Sequence, residues 1–129
     1  MNYNDLRAAL EIVNNYSKTE IEELMKRCKD VNDNILGLVC REFGITKDEI
    51  KSKSRKHEYL IPRHIAVYLL RNHGELKTLK DIGRYMGGRD HSTMLHSIEA
   101  IDGLRFMGYD KQINKLELEV QAFFKLIQD

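Results

Sequence analysis

The chain has 129 residues, 42% of them hydrophobic, and a formal net charge of +1. That length suits one compact domain plus an attached element, and it excludes two large domains. No apolar run approaches the roughly 20 residues that cross a bilayer, and Met1-Asn2-Tyr3-Asn4-Asp5 has neither the basic nor the apolar region of a secretory leader.

The two cysteines, Cys28 and Cys40, are too few for a disulfide framework. They are expected as reduced thiols of a cytoplasmic protein. The small net charge hides an asymmetry. Residues 47–96 carry 11 basic and 6 acidic side chains, net +5, whereas residues 1–46 and 97–129 are each net −2. A cationic middle between mildly acidic flanks points either to an anionic partner or to a solvated lysine-rich surface.

In chain order, Tyr3, Leu6, Leu10, Val13 and Tyr16 recur at helical spacing. Ser17-Lys18-Thr19-Glu20 is a capping box that opens a second helix with Ile21, Leu24, Met25 and Cys28 on one side. Residues 3–29 are therefore expected to form a helical hairpin. Asp30 can cap a third helix that buries Ile35, Leu38, Val39 and Phe43 and stops at Gly44. Thr46-Lys47-Asp48-Glu49 is a second capping box opening a short helical turn. Lys51-Ser52-Lys53-Ser54-Arg55-Lys56 has four positive charges and no apolar side chain, which predicts an exposed loop.

Pro62 predicts the first turn of the next helix, lined inside by Ile65, Tyr68 and Leu69 and closed at His73-Gly74. Thr78 caps a helix running to about Met86, and Gly87-Gly88 breaks the chain. Asp90 caps a helix carrying Leu95, Ile98 and Ile101, and a final helix runs from about Lys111 to Ile127. No segment alternates with period two. The class is all-α.

The helices near 79–86 and 91–107, joined by a glycine turn, have the form of a helix-turn-helix. In that motif the second helix enters the major groove N-terminus first, so its opening residues must be small or able to read base edges. Asp90, His91, Ser92 and Thr93 fit. Aspartate accepts from the cytosine amino group, and a threonine methyl or an imidazole edge packs on a thymine methyl. Ser92 and Arg89 can reach phosphates. Asp90 reads equally as a plain N-cap, and His91 as an exposed helix-start residue. Lys53 and Arg55 lie in the basic loop, and arginines on such arms often enter an adjacent A·T-rich minor groove. Arg63 and Arg71 are roughly 80° apart around a helix, so one face could present both to phosphates. For these cations the plain alternative is solubilising charge.

The run Gly87-Gly88-Arg89-Asp90-His91-Ser92-Thr93-Met94-Leu95-His96, with Ile82-Gly83, Pro62-Arg63-His64-Ile65-Ala66 and the Lys51–Lys56 loop in the same order and spacing, resembles the C-terminal DNA-binding domain of the bacterial replication initiator DnaA. The resemblance covers roughly residues 31–127. It implies a six-helix domain that binds a short asymmetric AT-rich box in double-stranded DNA. By position Arg55 matches the minor-groove arginine, Arg63 and Arg71 match backbone or base contacts, and Asp90, His91 and Thr93 match the major-groove readers, with Ser92 and Arg89 at the phosphates. His64 stands where many relatives have glutamine, and Lys80 where many have a proline that touches DNA.

One departure is larger. The chain has no Gly-x-x-x-x-Gly-Lys-(Ser/Thr) loop. The expectation is a stand-alone relative without the ATPase module, with no ATP, cofactor or metal, divided into residues 1–30 and 31–129. The 3–29 hairpin either packs as extra core or forms a homodimer or partner-docking element. An enzyme built on Asp90, His91 or His96 lacks evident partners, and His91 and His96, five apart, do not share a face as paired metal ligands would. The alternative to specific DNA binding is a protein-interaction module that keeps the fold. The intact basic loop and the Asp90-to-Thr93 run count against it.

Overall fold

A computed structural model describes residues 31–76 and 78–128. The expectations for residues 1–30, including the hairpin and the Asp30 cap, lie outside the described residues. Among the described residues there are six α-helices and no strand: α1 Val31–Phe43, α2 Lys47–Lys51, α3 His57–His73, α4 Leu79–Tyr85, α5 His91–Leu104 and α6 Asp110–Gln128.

Helix α3 is the centre, packed chiefly on α5 and α1. Ile65, Leu69 and Leu70 are fully buried there. They meet Ile35 and Leu36 of α1, Met94 of α5 and Leu116 of α6 in one core. Each such side chain contributes on the order of 1.5–3 kcal/mol through burial. Cys40 belongs to this core as a free thiol, and burial pushes its pKa up to about 11, which leaves it inert as a nucleophile.

The helix ends follow local chemistry. Gly44, just past α1, takes φ 65°, a left-handed conformation that glycine adopts without strain. Thr46 and Glu49 form the expected capping box: Glu49 N–H donates to Thr46 Oγ1 at 3.1 Å and Thr46 N–H donates to Glu49 Oε1 at 2.9 Å. Glu49 also accepts from the Tyr59 hydroxyl at 2.6 Å. That bond ties α2 to the first turn of α3 and holds the Glu49 carboxyl below its ordinary range.

Two expectations are corrected. Helix α3 begins at His57, so Pro62 lies inside it. The extra turn was hidden because Lys56, at the N-cap, offers no side-chain cap. The backbone carbonyl of Lys56 nonetheless accepts from the N–H groups of Tyr59 and Leu60 at 3.0 Å. Helix α5 buries Met94 rather than Leu95, which is 41% exposed. Past Leu104 the chain continues as a π-helical turn over Arg105–Tyr109 whose non-helical residue is Gly108, so the expected helical extent to 107 holds. Gly108, with φ 109°, turns the chain into α6. Arg105 spans that bend, donating to Asp110 Oδ1 at 2.7 Å and Asn114 Oδ1 at 2.8 Å.

Candidate nucleic-acid interface

Helices α4 and α5 are joined by a tight turn. Thr78 caps α4 by accepting from Asp81 N–H at 3.1 Å. Past α4, the amides of Gly88 and Arg89 both donate to the Gly83 carbonyl, at 3.0 and 2.8 Å. Gly87 and Gly88 take φ 97° and 79°, values that would strain a side-chain-bearing residue. Asp90 then caps α5. Its Oδ1 accepts from the Thr93 amide and the Thr93 hydroxyl, each at 2.8 Å. The Thr93 amide bond is the main reason the Asp90 carboxyl titrates below its ordinary value, with the hydroxyl next. Both bonds fall on Oδ1, so Oδ2 keeps acceptor capacity. With its hydroxyl proton engaged, Thr93 offers its methyl group to a neighbour. His91, Ser92, Thr93 and His96 are all exposed along the start of α5.

The basic loop lies against this turn. Lys53 Nζ donates to the Gly87 carbonyl at 2.9 Å and approaches that of Gly88 at 3.5 Å. Lys51 Nζ sits 4.1 Å from the centre of the Tyr85 ring, within cation–π range. Arg89 donates from Nη1 to the Lys51 carbonyl at 3.1 Å, and also to the carbonyls of Met86 and Ser52. A Cβ on Gly87 would stand 2.3 Å from the Lys51 carbonyl oxygen, so the approach requires glycine. Segments more than thirty residues apart in sequence thus form one surface. On it Arg55 is exposed and makes no hydrogen bond or ion pair among the described residues.

The remaining candidates divide. Arg71 and Lys80 are exposed. Arg63, expected on a shared outer face with Arg71, is only 5% exposed. Its guanidinium donates to three carbonyls at the end of α2 and in the loop after it: Ile50 at 2.8 Å, Ser54 at 3.1 Å and Ser52 at 3.0 Å. The spacing of positions 63 and 71 holds, but the loop folds over the first and not the second. His64 is half-buried, with Nδ1 2.9 Å from Ser97 Oγ. Burial pushes its pKa down to about 4, helped by His96 and Arg63, so the ring is neutral near pH 7. Ser52, whose carbonyl both arginines hold, and buried Ser97 were missed. Backbone acceptors carry no sequence signature, and a single serine inside a helix carries little.

Among the described residues no group of three or more His, Cys, Asp or Glu is placed to hold a metal. No helix there is long and apolar enough to cross a membrane.

Two short helices at a glycine turn, a capped second helix with exposed hydrogen-bonding residues at its start, and a cationic loop pinned beside it define a DNA-binding helix-turn-helix domain. The family described as the bacterial dnaA protein helix-turn-helix matches residues 32–101, and the chain belongs to that family. It is 46% identical over 93 residues to the chromosomal replication initiator protein DnaA of Borreliella burgdorferi B31, covering 72% of this chain and 18% of that one. Against the DnaA of Synechococcus sp. JA-2-3B'a(2-13) it is 40% identical over 86 residues, 65% of this chain and 18% of the relative. Against that of Borrelia hermsii HS1 it is 38% identical over 107 residues, 83% and 19%. The chain therefore spans less than one-fifth of the length of these relatives.

Proposed function

We propose that the chain reads a short AT-rich duplex site in two grooves at once. The start of α5 enters the major groove, where Asp90, His91 and Thr93 meet base edges and Ser92 meets a phosphate. The Ser52–Lys56 loop enters the adjacent minor groove, led by Arg55. Arg71 and Lys80 contact the backbone. The observation that carries this reading is the 2.9 Å bond from Lys53 Nζ to the Gly87 carbonyl, because it sets the loop beside the turn that opens the recognition helix.

The same reading makes the chain a binding module and not an enzyme, acting in the nucleoid. Replication initiation is the named activity of much longer relatives. Its use here, in initiation or in the control of initiator boxes, is part of the proposal. Residues 1–30 are proposed as a separate element that pairs two copies or docks a partner. Light scattering on the full chain tests this, and a monomer at high concentration counts against pairing.

Selection from random duplexes followed by a salt titration tests the main reading. The expected result is an enriched AT-rich motif whose binding falls steeply as salt rises, because phosphate contacts release counterions. A selection that enriches nothing, or binding indifferent to salt, would contradict it.

A further inference from the structure

Arg63 is an unusual residue to bury. The residue is only 5% exposed, and neither it nor Arg89 forms an ion pair with a carboxylate among the described residues. A buried charge is costly unless it is fully hydrogen-bonded, and an apolar side chain would pack more cheaply. What the fold gains is a three-pronged grip on one stretch of backbone: Nε holds the Ile50 carbonyl, Nη2 that of Ser52 and Nη1 that of Ser54. Arg89, from the turn before α5, reaches the same stretch through the carbonyls of Lys51 and Ser52. Two like charges thus converge on one peptide oxygen. Their repulsion adds to burial in pulling the Arg63 pKa down to about 10.

The two arginines come from different parts of the reader. Arg63 belongs to the central helix α3. Arg89 directly precedes the Asp90 cap of α5, and its own amide is bonded to Gly83 at 2.8 Å. Arg55 follows directly on Ser54, whose carbonyl Arg63 holds. The path of the loop is thereby fixed relative to the recognition helix just before the exposed Arg55.

We propose that Arg63 and Arg89 are positioning residues that lock the minor-groove loop and the recognition helix into one register by holding the Ser52 carbonyl between them. This rests on the two-groove reading above. A loop held in its bound path loses less freedom when it enters the groove, so the grip acts on affinity and on the flank it reads. Neither arginine needs to touch a base.

The test uses the full chain as wild type, Arg63→Lys and Arg89→Lys. Lysine keeps the charge but cannot fork onto several carbonyls. Binding is measured to the selected duplex and to three altered ones. In the first, A·T pairs in the flank under the loop become G·C. In the second, the same pairs become inosine·cytosine, which presents the minor groove of A·T and the major groove of G·C. In the third, base pairs under α5 are changed. Thermal melting accompanies each variant.

Wild type should prefer A·T over G·C in the flank and accept inosine·cytosine there. Both variants should lose about tenfold of that flank preference and keep the preference under α5 within about twofold. These ratios belong to folded molecules, so a lower folded fraction does not move them. Should Arg63→Lys not fold, the half-exposed Arg89→Lys carries the test. Variants that keep the full flank preference, whatever their melting temperature, overturn the proposal. So does a variant that loses the flank and α5 preferences to the same degree. A wild type that selects no motif at all overturns the reading beneath it, and that failure is distinct from the other two.

Discussion

Gly83 and Arg89 are joined at the closest point of the helix-turn-helix: the Arg89 amide donates to the Gly83 carbonyl at 2.8 Å, and a Cβ on Gly83 would stand 2.1 Å from the Arg89 carbonyl oxygen. That contact sets the spacing between α4 and α5. Backbone cannot yield as a flexible side chain can, so Gly83→Ala should push the helices apart. The expected cost is about 1–3 kcal/mol, typical of overpacking. Urea unfolding measures it, and an unchanged midpoint would show that the turn tolerates the shift.

His64 should make stability depend on pH. Its folded pKa is about 4 against an ordinary 6.5, so between those values the unfolded chain binds more protons than the folded one. Stability then rises with pH across that window and is lost as pH falls through it. The ring is only half-buried, so solvent screening reduces the full linkage value to roughly 1–2 kcal/mol. His64→Gln should flatten this slope. Urea midpoints at about pH 7 and about pH 5 test it, and equal slopes in the two proteins would contradict the assignment to His64.

Arg55 and Arg71 are both exposed cations, but different work is expected of them. Arg55→Ala should lower discrimination for the A·T flank by about 1–3 kcal/mol and leave melting unchanged. Arg71→Ala should weaken all duplexes alike and reduce the salt slope by about 1. Binding isotherms at several salt concentrations separate the two. The same effect from both would mean that Arg55 acts only as charge.

Asp90 can be dissected by replacement. Asparagine caps a helix about as well as aspartate, whereas alanine loses about 1 kcal/mol. Asp90→Asn should therefore melt like wild type while its preference at the base pair under Asp90 changes, because a neutral amide also donates. Asp90→Ala should lose both. An unaltered base preference in Asp90→Asn would reduce Asp90 to its capping role.

The parts of the fold that could be read from sequence were those with local causes. Thr46 with Glu49, Thr78 and Asp90 announced helix starts because a cap needs only neighbours three residues away. Gly44, Gly87 and Gly88 announced breaks because their φ values suit glycine. Pro62 misled because a proline suggests a first turn, while the actual start at His57 rests on backbone acceptance at Lys56. Leu95 misled because Met94 and Leu95 are equally apolar neighbours; Met94, four and seven residues before Ile98 and Ile101, shares their face and packs close to Gly83, 3.4 Å from Met94 Cγ for an added Cβ. Within the site, the exposed start of α5 was legible. The burial of Arg63 was not, since its partners are peptide carbonyls of the end of α2 and the following loop, nine to thirteen residues upstream.

The structure of the full chain on its selected duplex tests the central claim most directly. The account predicts the first turn of α5 in the major groove with His91 and Thr93 against base edges, and the Arg55 guanidinium within hydrogen-bonding distance of bases in the neighbouring minor groove. A complex in which α5 sits in the major groove while the Ser52–Lys56 loop stays in solvent, or in which a different face meets the DNA, would contradict it.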